Sequence, residues 1–170
     1  LKAAGVRVKT DLREETPGWK FNEWEMRGVP LRLELGPRDV QNNQCVLARR
    51  DTGEKLSVSL DEAVTRVQEL LQEIQRNMLA KAIAFRDQHS HLDLETLADL
   101  EQHIASKQAA GELTGWALLG WCGDDACEAQ IKETTKFTAR VIPFETPVQK
   151  SVCAVCGKPA QHSVWYARAY

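Results

Sequence analysis

Apolar and polar residues alternate in three short stretches of the first half of the chain. A period of two places alternate side chains on one face of a β-strand, so each stretch predicts a strand. The stretches are VRVKT at 6–10, VPLRLEL at 29–35 and QCVLARR at 44–50. In the second of them Leu31, Leu33 and Leu35 share one face.

Helix and turn signals separate these strands. TPGWKFNEWEMRG has Pro17 near its start and Gly28 at its end, which predicts a short helix. LKAAG is typical of the last helical turn closed by a glycine, here Gly5. We therefore expect the sequence to open inside a domain, after a strand and a helix. GPRDVQNN and DTGE predict turns.

A long helix is predicted over 60–87, between the two halves of the chain. Ser59 and Glu62 have the spacing of a capping box. Apolar residues then recur at steps of three and four, namely Leu60, Val64, Val67, Leu71, Ile74 and Met78. This stripe fits a coiled coil with a partner or an amphipathic helix on its own domain. We favour the second interpretation because the pattern fades at Lys81.

The second half alternates strands and helices at a different spacing. The predicted elements are a strand near 90–94, a helix at 95–110, a strand at 114–121, a helix at 125–135, a strand at 139–144 and a strand at 163–169. GWALLGW is apolar on both faces, as expected of a central strand. The chain is therefore predicted to be α/β: a mixed sheet with helices, followed by a small α+β domain ordered β-α-β-α-β-β.

Composition adds little to this picture. The 170 residues are 43% hydrophobic and 27% charged, with a formal net charge of −2, which is typical of a globular domain. Residues 13–55 hold eight basic and eight acidic side chains, so charge gives no reason to expect nucleic acid or anionic membrane as a partner. The sequence has no apolar run of membrane-spanning length and no signal-peptide pattern.

Four of the five cysteines form two close pairs. Cys122 and Cys127 are spaced C-x4-C, Cys153 and Cys156 are spaced C-x2-C, and 25 residues separate the pairs. Two such pairs predict a structural zinc site with four thiolates and no open position for catalysis. The alternatives are two disulfides or four unrelated buried cysteines. His162 fits neither pair as a substitute ligand, and Cys45, in an alternating apolar stretch, is predicted to be a core residue.

Longer runs resemble a known family. PGWKFNEWEMRGVPLRLELGPRD followed by LARRDTGEK resembles the anticodon-binding domain of prolyl-tRNA synthetases, which are class II aminoacyl-tRNA synthetases. The second half is similar to the zinc-binding C-terminal domain of the archaeal/eukaryotic-type branch, through its four cysteines, RVIPF, CGKPA and the ending ARAY. The resemblance implies an N-terminally truncated anticodon-binding domain at 1–70, the connecting helix at 60–87 and the zinc-binding domain at 88–170.

The resemblance also implies a division of labour in a cytoplasmic, homodimeric enzyme. The parent binds ATP, Mg²⁺ and proline in a catalytic domain N-terminal to this region, and the sequence has no match to the motifs of that domain. The fragment itself is expected to bind structural zinc but no ATP and to read the two guanines shared by proline anticodons. Tyr170 is expected to pack toward the catalytic domain, near the parent active site.

By resemblance, the anticodon readers fall at Phe21, Glu25, Arg32, Arg38 and Asp39. An aromatic ring can stack on a splayed base, and a carboxylate can accept the N1–H and N2–H of guanine but not of adenine. Arginine can donate to guanine O6 and N7 or to phosphate. In this family the position of Arg38 often carries lysine, and arginine keeps the charge but changes the geometry.

Each of these residues also has a structural interpretation. Trp19, Phe21 and Trp24 fit a hydrophobic core, and Glu25 fits a surface ion pair with Arg27 or Arg32. At the level of the whole chain, the tRNA-recognition portion of a proline–tRNA ligase stands against a stand-alone RNA-binding or protein-interaction module that uses the apolar helix stripe.

Overall fold

The computed structural model describes residues 1–146 and 148–169. The chain divides into two compact units, Leu1–Ala82 and Ile83–Tyr170, and the boundary falls inside the longest helix. Each unit has its own sheet and its own hydrophobic core, and the predicted α/β class is confirmed. In the two stretches that the structure describes, no helix combines the length and apolar character needed to cross a membrane.

Helices and strands are interleaved in the first unit. Its elements are α1 (Pro17–Met26), β1 (Leu31–Glu34), α2 (Pro37–Gln41), β2 (Gln44–Arg49), β3 (Lys55–Ser59) and α3 (Ala63–Gln88). A short 3-10 turn, Lys2–Ala4, precedes them and ends at Gly5, whose φ of 78° is left-handed as predicted.

Helix α1 begins and ends where its sequence signals lie. The hydroxyl of Thr16 accepts the N–H of Trp19 at 3.4 Å, which caps the helix. Pro17 occupies the first helical position, where the missing N–H costs no hydrogen bond. Gly28 follows with a φ of 82°, a left-handed conformation that glycine adopts without steric penalty.

The first sheet is antiparallel in the order β1-β2-β3 and packs one face on α3. Cys45 and Leu47 of β2 are fully buried in this core, together with Val67 and Leu70 of α3. The prediction that Cys45 is a core residue is confirmed.

The opposite face of this sheet carries charge. Ala48 of β2 pairs with Arg32 on β1 and with Lys55 on β3. Because side chains alternate along a strand, this row lies on the face opposite Leu47 and α3. Two cations therefore lie in one row on this face, with Ala48 between them.

The buried side of α3 is shorter than the predicted stripe. Val64 and Met78 are 36% and 48% exposed. The buried positions of the helix are Ala63, Val67, Leu70 and Ile74. The helix packs on its own unit through this first half, as the amphipathic-helix interpretation predicts.

The predicted capping box at Ser59 and Glu62 is wrong. Ser59 is the last residue of β3, and its backbone pairs with Gln44. Its hydroxyl accepts the N–H of Asp61 at 3.2 Å, which closes a turn between the strand and the helix. The strand pairing holds Ser59 too far back to cap a helix that begins at Ala63.

The strand predicted at 6–10 is also wrong. Its first residue, Val6, donates its N–H to the carbonyl of Leu1 at 3.1 Å, and no described strand lies beside the segment. Leu1 and Val6 pack against the buried residues of the first core. Contact with the core explains the apolar alternation without strand pairing.

Two further elements depart from the predicted pattern. GPRDVQNN, predicted as a turn, contains the one-and-a-half-turn helix α2, where the Asp39 carboxylate accepts the N–H of Gly36 at 2.8 Å. The predicted elements do not include strand β3, although Leu56 and Val58 alternate within it and pack against the core. Its signal is short and merges with that of the following helix.

The second unit follows the predicted order β-α-β-α-β-β. Its elements are β4 (Ser90–His91), α4 (Leu97–Ala109), β5 (Trp116–Trp121), α5 (Asp125–Thr135), β6 (Phe137–Val141) and β7 (His162–Arg168). The sheet order is β4-β5-β7-β6, with β4 and β5 parallel and the other pairs antiparallel. Strand β5 is central as predicted, and its Leu118 and Leu119 are both fully buried.

Element boundaries in this unit differ from the predicted ones for local reasons. The strand predicted at 90–94 is only Ser90–His91. Helix α4 begins at Leu97 because Thr96 and Asp99 form a reciprocal capping box. Strand β6 occupies Phe137–Val141 rather than 139–144, and Pro143, which has no N–H to donate, follows its end.

Candidate functional site

Four of the five cysteines lie together in the second unit. Cys122 follows β5, Cys127 lies in the first turn of α5, and Cys153 and Cys156 lie in the loop before β7. The four sulfur atoms are all within 4.8 Å of one another. The structure therefore brings the two predicted pairs to one point.

The spacing of the sulfur atoms fits zinc. With Zn–S bonds of about 2.3 Å, sulfur atoms at the corners of a tetrahedron lie about 3.8 Å apart. Cys122 Sγ lies 3.7 Å from Cys127 Sγ and 3.7 Å from Cys156 Sγ. A disulfide has sulfur atoms about 2.05 Å apart, and all five cysteines are free. The cluster fits a four-thiolate metal site and not the disulfide alternative.

The four thiols have unequal electrostatic surroundings. Burial raises the pKa of the Cys127 thiol. Burial also opposes ionisation of Cys153, but hydrogen bonds from the backbone N–H groups of Cys156 and Val155 outweigh it and lower the pKa to about 7. A thiol that ionises near neutral pH supplies an anionic ligand to a divalent cation.

Backbone hydrogen bonds shape the second cysteine pair. The N–H of Cys153 donates to the carbonyl of Lys158 at 2.7 Å, and the N–H of Gly157 donates to the carbonyl of Cys153 at 3.0 Å. Gly157 has a φ of 69°, which the tight turn requires and glycine supplies. The turn points both thiols of the pair to the same side.

Gly120 attaches this turn to the central strand. The N–H of Ala154 donates to the carbonyl of Gly120 at 3.0 Å. A Cβ at position 120 would lie 2.0 Å from the carbonyl oxygen of Val152, so only glycine permits the approach. The second pair therefore lies directly beside the residues that lead to Cys122.

Acidic residues begin the helix that carries Cys127. The Asp124 carboxylate accepts the N–H of Ala126 at 2.9 Å, and Asp125 and Glu128 lie in the first turn. Negative charge at this end is favoured by the helix dipole. His162 is outside the cysteine group and packs its ring 5.9 Å from that of Trp121.

A second cluster lies on the charged face of the first sheet. The Arg32 guanidinium carbon is 3.8 Å from the centroid of the Phe21 ring. Arg32 Nη1 donates to Glu25 at 2.7 Å, and Arg32 Nε donates to Glu34 at 3.0 Å. Lys55 Nζ is 3.2 Å from the Glu34 carboxylate and 5.8 Å from the Phe21 ring. We name these five residues the Arg32 cluster.

The Arg32 cluster combines groups that recognise an unpaired base. It offers an aromatic ring, a carboxylate that accepts N–H donors and a guanidinium that donates to oxygen, nitrogen or phosphate. The Glu25 side chain is 50% exposed and that of Arg32 is 20% exposed, so Glu25 is the more accessible of the two. Two cations and two carboxylates make the set formally neutral.

The two remaining predicted readers lie at the start of the neighbouring helix. One Asp39 oxygen accepts the side-chain amide of Gln44 at 3.2 Å. Gln44 and Ala48 are four residues apart on β2, so their side chains lie on the same face of the sheet. The hydrogen bond therefore holds Asp39 on the face that carries the Arg32 cluster. Arg38 is exposed on α2. The structure thus joins Phe21, Glu25 and Arg32 directly and holds Asp39 on their side of the sheet.

The core interpretation of the α1 aromatic residues is wrong, because none of the helix residues is buried. Trp19 is 48% exposed, and the Arg13 guanidinium lies 5.0 Å from its ring centroid. The indole N–H of Trp24 donates to Asp11 at 2.8 Å. These two tryptophans hold the preceding segment on α1, while Phe21 faces the sheet.

The ion-pair interpretation of Glu25 is confirmed for Arg32, at 2.7 Å, whereas Arg27 pairs with Glu23. Such a pair between partly exposed groups contributes little stability. It leaves Glu25 available to exchange partners.

Glu34 and Lys55 were missing from the predicted site. Lys55 reaches the cluster because β3 places it in one row with Arg32 across the sheet. The row depends on the register of β3, and the alternation pattern did not predict this strand. Tyr170, expected near the parent active site, lies outside the described residues.

Comparison with known proteins assigns both regions. A family model described as an anticodon binding domain matches residues 1–70. A second model, described as the C-terminal part of prolyl-tRNA synthetase, matches residues 106–170. Residues 1–70 are thus similar to anticodon-binding domains, and residues 106–170 are similar to the C-terminal part of prolyl-tRNA synthetases.

Relatives of the prolyl-tRNA synthetase family match along the whole chain. A proline–tRNA ligase of Symbiobacterium thermophilum is 70% identical over 170 residues, which are 100% of this chain and 35% of the relative. Proline–tRNA ligases of Lachnospira eligens and Clostridium novyi are each 46% identical, over 100% and 97% of this chain and 34% and 33% of the relatives. The chain therefore spans about a third of the length of these curated relatives.

The two candidate sites fall in different matched regions. The Arg32 cluster lies within the anticodon-binding match, and the four cysteines lie within the prolyl-tRNA synthetase C-terminal match.

Proposed function

We propose that this chain is the tRNA-recognition portion of a proline–tRNA ligase, an enzyme that uses ATP to attach proline to its tRNA. The observation that carries the proposal is the Arg32 cluster, a base-reading set of side chains inside the region matched as an anticodon binding domain. The full-length match to proline–tRNA ligases supports the choice of tRNA.

Recognition uses the exposed side of the Arg32 cluster. A guanine of the proline anticodon leaves its loop and approaches Phe21 and Arg32, which provide stacking surfaces. Both oxygens of Glu25 accept the N1–H and N2–H of the base, a pattern that adenine cannot supply. Asp39 reads the second guanine, and Arg38 contacts the phosphate backbone.

The four cysteines hold a structural zinc ion in this proposal. Cys122, Cys127, Cys153 and Cys156 fit its tetrahedral geometry and occupy every coordination position. The ion stabilises the unit by joining the end of β5, the start of α5 and the loop before β7.

Catalysis belongs to the part of the ligase outside this chain. We assign ATP, Mg²⁺ and proline binding to a catalytic domain of the same protein, which works in the cytoplasm as a homodimer. Tyr170 packs toward that domain in this proposal. Support comes from the relatives, of which this chain covers about a third.

Filter binding of this chain to proline tRNA tests the proposal. Replacing either of the two shared anticodon guanines by adenine is expected to weaken binding about 5- to 150-fold, which corresponds to the roughly 1–3 kcal/mol of a good base-specific contact. The matched control is a base-pair exchange in the acceptor stem, which should leave the affinity unchanged. Equal affinity for the wild-type and both adenine-substituted anticodons would refute anticodon reading by this chain.

A further inference from the structure

Arg32 is shared between two carboxylates that differ in exposure. Glu25 lies on the surface helix α1 and its side chain is 50% exposed, whereas Glu34 lies on β1 and its side chain is 22% exposed. The Oε1 atom of Glu34 accepts a hydrogen bond from Arg32 Nε at 3.0 Å and lies 3.0 Å from Nη2 as an ion pair. Glu25 accepts from Nη1 alone.

Guanine and Arg32 compete for Glu25. Reading the N1–H and N2–H edge requires both Glu25 oxygens, and one of them, Oε1, accepts the Arg32 hydrogen bond at 2.7 Å. Two donors on one oxygen share its electron density, so guanine binds Glu25 most tightly when Arg32 releases it. While guanine is bound, Arg32 must keep another anionic partner, because an unpaired guanidinium would attract the Glu25 carboxylate again.

We propose that Glu34 is a positioning residue that determines guanine selectivity. It retains Arg32 on the Phe21 ring while Glu25 exchanges the guanidinium for the base edge. This inference rests on the proposed anticodon-reading function and assigns a role to a side chain that does not itself contact the base.

The strand geometry supports this role for Glu34. Arg32 and Glu34 are two residues apart on β1, so their side chains lie on one face, and β1 is held in register by β2. Lys55 from β3 contacts both oxygens of the Glu34 carboxylate at 3.2 Å. Glu34 is thus oriented by backbone pairing and a second cation, whereas Glu25 is oriented by Arg32.

Removing the Glu34 charge has two separable consequences. Arg32 is left with Glu25 as its carboxylate partner, so the pair that guanine must open becomes stronger and selectivity falls. The surface also loses one negative charge, so the affinity for RNA of any sequence stays equal or rises. A purely structural role predicts loss of affinity for every RNA with unchanged selectivity.

The test compares Glu34→Gln with wild type in filter binding. The probes are proline anticodon stem-loops that carry guanine or adenine at the two shared positions. The ratio of guanine to adenine affinity is expected to fall at least about five-fold in Glu34→Gln, while adenine-loop binding does not weaken. The variant Glu34→Asp retains a carboxylate and is expected to restore part of the ratio.

Glu54→Gln is the matched control, because Glu54 is an exposed carboxylate of the same unit, next to Lys55. It removes the same charge and should leave the ratio at the wild-type value. If the wild-type chain prefers guanine and Glu34→Gln keeps the same affinity ratio, the role of Glu34 is overturned. The same holds if the ratio falls equally in Glu54→Gln. Both outcomes leave anticodon reading intact. Absence of any guanine preference in the wild-type chain overturns the proposed function and this inference together.

Discussion

Arg32 contacts three groups at once, namely the Phe21 ring and the carboxylates of Glu25 and Glu34. Each contact is modest at a partly exposed site, because water and salt screen the charges. A small free-energy cost for exchanging one partner of Arg32 is useful in a recognition surface, because a ligand can replace that partner while the other contacts of the cluster remain. The cluster is therefore suited to selectivity more than to stability.

At this scale Glu25 and Arg38 should affect RNA binding in different ways. Glu25→Ala removes the base-edge acceptor, so it is expected to lose most of the guanine preference, about 1–3 kcal/mol, with a smaller change in total affinity. Arg38→Ala removes an exposed cation, so it should weaken binding to guanine and adenine loops alike and flatten the salt dependence. Affinities measured across a salt series separate the two effects. Unchanged guanine preference in Glu25→Ala would show that another residue reads the base.

Among the secondary-structure elements, the cysteine turns connect the end of β5, the start of α5 and the loop before β7. Cys122 continues β5, Cys127 begins α5, and the last pair lies in a loop held to β5 through Gly120. In the loop, Ala154 is buried in the second core and Val155 packs against it, so a metal would add to a modest amount of apolar packing.

Substitution of a cysteine in the cluster should reduce zinc binding far more than substitution of Cys45, the fifth cysteine. Cys153→Ser is expected to reduce zinc from about one ion per chain and to lower the melting temperature of the second unit, because serine is a poor zinc ligand. Cys45→Ala is the control, since Cys45 is fully buried in the first core and should leave the zinc content unchanged. Elemental analysis and thermal unfolding measure both. Protein purified under reducing conditions with no zinc at all would contradict the metal site.

The elements that could be predicted are those whose signal is local. Thr96 with Asp99 caps α4, and β5 has apolar residues on both faces, so both follow from neighbouring residues. The failures depend on distant partners. Segment 6–10 alternates like a strand but has no described strand beside it, and β3 is a strand because β2 is its neighbour.

The candidate sites show the same limit. The four cysteines are predictable because zinc needs a fixed number of ligands at short spacings, whereas Glu34 and Lys55 join the Arg32 cluster only through sheet register. Lys150 illustrates it in the second core: its side chain is 1% exposed and donates to the carbonyls of Leu92 and Leu94 and to Glu95. No local pattern marks a lysine whose acceptors lie more than fifty residues away.

In the whole molecule, the two candidate sites belong to different units. The Arg32 cluster lies in Leu1–Ala82 and the cysteine cluster in Ile83–Tyr170, each with its own core. The energy that stabilises one site is therefore largely separate from the energy that stabilises the other.

Zinc removal should consequently unfold one unit and spare the other. Structural zinc supplies about 10–16 kcal/mol of apparent binding energy, comparable with the roughly 5–15 kcal/mol stability of a whole domain. Chelation is expected to abolish hydrogen-exchange protection in β5 and β7, while β2 stays protected and guanine selectivity is retained. Adding zinc back should restore β5 and β7. Loss of protection in β2 on chelation would show that the units fold as one.

The close approach at Gly120 has a genetic consequence. Every base change in the first two positions of a glycine codon gives a stop codon or a residue that carries a Cβ, and a Cβ here collides with the Val152 carbonyl at 2.0 Å. Codon 120 can therefore drift silently only at its third position. Its neighbour Leu119 can change to another apolar residue by a single base substitution, so the steric constraint at Gly120 makes these adjacent codons unequal.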